Sequence, residues 1–173
     1  MNRKLLAINA LIIVALAAAL FGFTLYYRAS RPESERVPSF PLKKFDGTVL
    51  ALEDLRGQPV VLNFWAAWCV FCRDEMPIME TIHRAYRGRG LIVLGVHRTS
   101  TEDISVGEEF AKSIGVTYDL IQDTNDRLFN YFGGGAPTVP ITVFIDRDGF
   151  VREKIIGPRS ETQFRKFVEE ILE

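Results

Sequence analysis

Cysteine is scarce: the 173 residues contain two, and both lie in the run Cys69-Val70-Phe71-Cys72. That scarcity excludes a disulfide-stapled scaffold and leaves no third or fourth sulfur for a structural zinc site. Arg73 rather than histidine follows the second cysteine, so the c-type haem attachment pattern is absent too. The two histidines, His83 and His97, stand alone in the chain and read as surface or strand-end residues rather than ligands. An excess of charge is also missing, with 21 Lys and Arg against 22 Asp and Glu. Without two of its 21 basic residues, Arg3 and Lys4, the count is 19 against 22, and a chain with no basic footprint is not built to bind nucleic acid. Gly133-Gly134-Gly135 is followed by neither Lys-Ser/Thr nor a helix start, which excludes a phosphate loop. There is no internal repeat.

What is present begins with a long uncharged run from Leu5 to Tyr27. As a helix it would extend roughly 35 Å, enough to cross a ~30 Å hydrocarbon core. Ala17-Ala18-Ala19 would suit a cleaved signal peptide, but the apolar run continues through Leu20, Phe21, Phe23 and Leu25. The expectation is therefore an uncleaved single-pass anchor over 5–27, with 1–4 before it. Residues 28–36 are a polar linker and 37–173 one domain. Its length is enough for one ordinary hydrophobic core.

Within that domain the apolar pattern alternates between strand and helix. Phe40 to Leu50 turns at Asp46-Gly47 as a hairpin, and Leu52 to Gly57 is a helical turn. Pro59 to Trp65 and Leu91 to Val96 read as strands buried on both faces. Met76, Met79, Ile82 and Tyr86 recur at helical spacing from Val70 onward, with Pro77 inside the helix as a source of a kink. A second helix ends at Gly115, a short strand covers Val116 to Ile121, and a short helix covers Asn125 to Phe132. Ile141 to Ile145 and Phe150 to Ile156 form a hairpin, and Ser160 with Gln163 caps a last amphipathic helix. The order predicts an α/β fold around one mixed sheet.

The chemistry lies where the first buried strand meets its helix. Cys69 stands at the helix start, where unpaired N–H groups and the helix dipole favour an anion, so it is the expected nucleophile. Cys72, one turn on, is placed to resolve a mixed disulfide. No metal or cofactor is needed beyond this redox-active pair. Glu75 follows Cys72 by a further turn and, if its pKa is raised by burial, can shuttle a proton for the thiols; the plainer alternative is a solvated acid like Asp74.

Strand, Trp68-Cys69-x-x-Cys72, helix with Pro77, X-Pro140 before an apolar strand and the Asp146-x-Asp148-Gly149 hairpin together resemble the thioredoxin superfamily over 37–173. The N-terminal anchor and the insertion between 97 and 132 are similar to its TlpA/ResA branch, relatives of the cytochrome c maturation thioredoxins. The resemblance implies a thioredoxin-like domain whose Pro140 is cis and faces the thiols, leaving the Val139 backbone free for an extended substrate. Pro137 is the competing proline. The family motif places Trp65 and Trp68 in a wall around the thiols, Trp68 beside the substrate, and Asn63 where thioredoxin has a buried aspartate. The family often carries proline between its cysteines and this chain has Val70-Phe71 instead, which leaves Phe71 either as a substrate contact beside the sulfurs or packed against the cis-proline loop. The resemblance also implies reduction of protein disulfides on the periplasmic or other extracytoplasmic side, with re-reduction by a membrane donor of the CcdA or DsbD type. Clients would be the haem-site cysteines of apocytochrome c or the copper-site cysteines of an oxidase. Two other readings stand beside it. A peroxiredoxin-type peroxidase would carry threonine where this chain has Ala66, and a copper carrier would space its cysteines by three residues with a nearby histidine.

Overall fold

The computed structural model describes residues 12, 13, 15–23 and 36–173 except 137. The chain divides into two compact units, Met1–Ser34 and Glu35–Glu173. In the first, the described residues are helical and exposed. Among the described residues no helix is long and apolar enough to cross a membrane. Most of the expected anchor, together with segment 1–4 and the linker up to Glu35, lies outside the described residues.

The second unit is a seven-stranded mixed sheet in the order β2-β1-β5-β4-β3-β6-β7. Its strands are β1 (Pro41–Lys44), β2 (Val49–Ala51), β3 (Val60–Trp65), β4 (Ile92–His97), β5 (Asp119–Gln122), β6 (Ile141–Ile145) and β7 (Val151–Ile156). Strands β3, β4 and β5 run parallel, while β6 and β1 pair antiparallel to the outer members of that trio. Four α-helices join them: α1 (Val70–Tyr86), α2 (Ile104–Ile114), α3 (Arg127–Gly133) and α4 (Glu161–Leu172).

β3 is buried at all six positions, as its unbroken apolar run requires for a central strand covered on both faces. Alternation then sorts its side chains. Val61 joins Met79 and Ile82 of α1 and Phe164, Val168 and Ile171 of α4. Phe64 points the other way, onto Phe129 and Phe132 of α3. Met76 and Met79 are buried, in keeping with a packing role for both. Helix α1 continues unbroken through Pro77, which sits on its exposed side. At α4 the expected capping box forms, with Ser160 and Gln163 exchanging hydrogen bonds.

Two element starts differ from the sequence pattern by two residues or more. β5 starts at Asp119, not Val116, because Gly115 ends α2 in the left-handed region and the Thr117 N–H is taken by Glu80 at 2.6 Å. α3 starts at Arg127, not Asn125: Asp126 adopts φ +50°, and buried Asp123 accepts from the N–H groups of Leu128 and Phe129. Gly107, like Gly95, is fixed by space rather than by backbone angle. A Cβ on Gly107 of α2 would lie 2.5 Å from the His97 ring, which is buried and cannot retreat. Gly107→Ala should therefore lower stability by about 1–3 kcal/mol in denaturant unfolding; an unchanged midpoint would show that α2 shifts freely.

Candidate active site

β3 and β4 end side by side, with Trp65 opposite His97 in the parallel register. From Trp65 the chain passes through Ala66, Ala67 and Trp68 to Cys69, which is the N-cap of α1. The Cys72 N–H points at Cys69 Sγ at 3.1 Å, so the sulfur occupies the place of a capping oxygen. Cys69 and Cys72 are joined as a disulfide with Cα atoms 5.3 Å apart. The Val139–Pro140 bond is cis, and the Val139 carbonyl oxygen lies 3.6 Å from Cys69 Sγ. The competing Pro137 lies outside the described residues.

Both sulfurs are nearly covered, but their rim is not. Trp68 is 50% exposed, Val70 72% and Phe71 58%, an apolar surface flanking the cysteine pair. Of the two readings for Phe71, substrate contact or packing against the proline loop, this exposure favours the first. The two tryptophans separate: only Trp68 remains at the rim. Trp65 is fully buried, its ring centroid 4.6 Å from that of His97 and 5.7 Å from that of Phe110, so it is not part of an exposed wall.

Glu75 is buried at 1% exposure, one turn beyond Cys72 on the same inward stripe of α1. The surface-acid alternative fails for it, whereas neighbouring Asp74 is exposed. Glu75 Oε1 accepts from Asn63 Nδ2 at 2.7 Å and from Thr142 Oγ1 at 3.1 Å. Asn63 and Thr142 are cross-strand partners on β3 and β6, and Asn63 Nδ2 also donates to Thr142 Oγ1 at 3.0 Å. Oε2 makes no hydrogen bond of full geometry among the described residues, although the Arg159 backbone and guanidinium lie near enough to favour the ionised form. Burial pushes the Glu75 carboxyl up to about 7, and the hydrogen bonds from Asn63 and Thr142 only partly oppose it. A group poised there takes up and releases protons at neutral pH. Asn63 thus serves the carboxylate rather than replacing it.

Three residues escaped the sequence reading. Thr142 carried a usable signal, since it and Asn63 are the polar residues in otherwise apolar buried strands. His97 is at a strand end as expected but is wholly buried, so the surface alternative fails for it. Its Nε2 lies 2.6 Å from Oε1 of Glu102, a residue with no signal in the sequence at all. Among the described residues no cluster of three or more His, Cys, Asp or Glu side chains is arranged to hold a metal ion. Ala66, three residues before Cys69, is buried and brings no hydroxyl to the site.

The arrangement supports thiol–disulfide exchange, and the comparisons agree. The profile of the AhpC/TSA family matches residues 34–154. The thiol-disulfide oxidoreductase ResA of Geobacillus thermodenitrificans is 32% identical, with 98% of each chain aligned. ResA of Bacillus subtilis is 28% identical over 96% of this chain and 93% of its own length. The crystal structure of a thioredoxin-family thiol:disulfide interchange protein from Chlorobium tepidum superposes with a TM-score of 0.74 at 28% identity, covering 83% of this chain and all of that one.

Proposed function

The chain belongs to the AhpC/TSA family and is a thiol-disulfide oxidoreductase of thioredoxin-like fold, and from that premise we propose that it reduces protein disulfides outside the cytoplasm. The observation that carries the reading is Cys69 at the helix N-cap, with the Cys72 N–H aimed at its sulfur and an apolar rim beside it. Once the pair is reduced, that N–H and the helix dipole favour the Cys69 thiolate, the species that attacks.

The thiolate of Cys69 displaces one sulfur of the substrate disulfide. A substrate thiolate leaves and takes a proton, and a Cys69–substrate mixed disulfide remains. Cys72 then gives its proton to Glu75 and attacks Cys69 Sγ. The second substrate sulfur leaves as a thiolate and takes a proton, and the Cys69–Cys72 disulfide seen here is restored. The substrate has gained two electrons and the enzyme has lost two. The Val139 backbone, beside the sulfur at the cis proline, receives an extended substrate segment while Trp68, Val70 and Phe71 cover its side chains.

A reductase in an oxidising compartment needs its electrons delivered, and a membrane donor of the CcdA or DsbD type fits an anchor over 5–27 with the domain on the periplasmic side. The two clients of this reading remain apocytochrome c haem-site cysteines and oxidase copper-site cysteines. The test is the redox potential of Cys69–Cys72 in the detergent-solubilised chain, equilibrated against dithiothreitol. The expected value is near or below ~−250 mV, towards thioredoxin; a value near ~−120 mV, that of a strong oxidant, would reverse the direction of flow and remove the need for the donor.

A further inference from the structure

The loop after β4 is tied to the loop after β3 by more than the sheet. The Arg98 N–H donates to the Trp65 carbonyl at 3.1 Å, extending the pairing by one residue. The Ala67 N–H donates to Glu102 Oε1 at 2.5 Å. Trp68 Nε1 donates to Thr101 Oγ1 at 3.2 Å, and that hydroxyl in turn donates to the Arg98 carbonyl at 2.9 Å. Each residue of the segment before Cys69 is thereby fixed: the Cys69 N–H itself returns to the Ala66 carbonyl at 3.2 Å.

At the root of this latch is His97. Its ring is fully buried between Trp65 and Phe45 and lies against Gly107, a position where no Cβ would fit. Its Nδ1 has no hydrogen-bond partner among the described residues. Burial lowers the His97 pKa, so the ring holds one proton. A carboxylate has no hydrogen to give, so the contact of 2.6 Å between Nε2 and Glu102 Oε1 puts the ring's proton on Nε2 as the donor. One carboxylate oxygen therefore receives two N–H groups, one from a rigid buried ring and one from the active-site loop. A hydrogen bond to a charged group in such a setting is among the stronger ones.

We infer that His97 and Glu102 are positioning residues for thiol–disulfide exchange: His97 holds the Glu102 carboxylate in place under the Ala67 N–H, and so sets where Cys69 sits relative to the helix N-terminus and the Val139 carbonyl. Neither touches the sulfurs. Small displacements of a reacting group are costly, with about 1 Å enough for large losses in rate. The inference rests on Cys69 being the attacking thiol, as proposed above.

The test compares His97→Leu and Glu102→Ala, which remove the donor or the acceptor, with His97→Gln and Glu102→Gln, which keep an N–H and a carbonyl oxygen. Two quantities are read on the reduced full chain, per folded molecule: the rate of reaction with a small aromatic disulfide, and the pH midpoint of Cys69 alkylation. His97→Leu and Glu102→Ala should each slow the reaction about tenfold and move the midpoint upward, while the two Gln variants recover most of the rate. If melting temperatures fall but rate and midpoint match the parent, the pair is structural only and the inference is overturned. Should His97→Leu fail to fold, Glu102→Ala, a change at the loop rather than in the core, decides by the same two readouts. A parent chain whose Cys69 shows no lowered midpoint would instead remove the reading of Cys69 as nucleophile.

Discussion

Cys72→Ser is expected to stall the enzyme halfway, with a client joined covalently to Cys69, while Cys69→Ser forms no such adduct. Both variants should lose roughly a thousandfold or more of disulfide-reductase turnover, since the two sulfurs act as a unit. The difference between them is the informative part. Cys69 is the N-cap, its sulfur faces the Cys72 N–H, and it is the sulfur that lies 3.6 Å from the Val139 carbonyl where a substrate strand would run. Cys72 is more deeply covered and sits within the helix. A serine at 72 leaves the thiolate of 69 able to attack but removes the second of the chain's two thiols, the one placed to release the product. Non-reducing electrophoresis of membranes from cells making each variant checks the order. Adducts in Cys69→Ser and none in Cys72→Ser would exchange the two roles. The trapped partner also discriminates between clients: a c-type apocytochrome supports the haem-site reading, and an oxidase subunit the copper-site reading.

The rim explains why such an adduct would be selective. Trp68, Val70 and Phe71 expose apolar area immediately around sulfurs that are themselves sheltered. A disulfide has to bring apolar neighbours with it to remove that surface from water, and each buried side chain then contributes on the order of 1.5–3 kcal/mol. The absence of proline between the cysteines lets Phe71 occupy this rim as a first-turn residue of α1.

The cysteine pair, its strand-to-helix setting and the capping of α4 are legible because each is a local pattern, a spacing, a period or a capping box, whereas the cis Pro140 is legible only through the family resemblance. What stayed hidden depends on contacts between distant segments. Glu75 read equally well as a solvated acid, and only the packing of α1 over β3 and β6 brings Asn63 and Thr142 to it across 12 and 67 residues. His97 looked isolated because its partner, Glu102, lies in a loop with no periodicity, and because a strand end says nothing about what α2 places over it. The start of β5 was misplaced for the same reason. The residues from 116 have strand character, but Glu80, a helix residue 37 positions earlier, takes the Thr117 N–H that a ladder would need.

Glu75→Gln should flatten the pH dependence of both stability and catalysis. The Glu75 carboxyl is raised from 4.5 to about 7 in the fold, chiefly by burial. Between those values the folded chain holds a proton that the unfolded chain has released. Its contribution to stability is therefore fully present below about pH 4.5 and is lost as pH rises through about 7. A shift of this size corresponds to a change on the order of 3 kcal/mol across that window. Gln keeps an oxygen for Asn63 and Thr142 but does not titrate, so its denaturant midpoint should vary less between pH 5 and 8 than that of the parent. In the proposed catalytic cycle the ionised form of the same carboxyl is the acceptor for the proton that Cys72 loses as it turns on the mixed disulfide. With no acceptor one turn away, that step should slow by about a hundredfold, and the inflection near pH 7 in the rate of mixed-disulfide resolution should vanish. Attack by Cys69 on a small disulfide, measured under single-turnover conditions, should change much less. A variant whose stability and resolution rate keep the parent's pH profile would show that Glu75 stays ionised in the fold and takes no part in moving the proton.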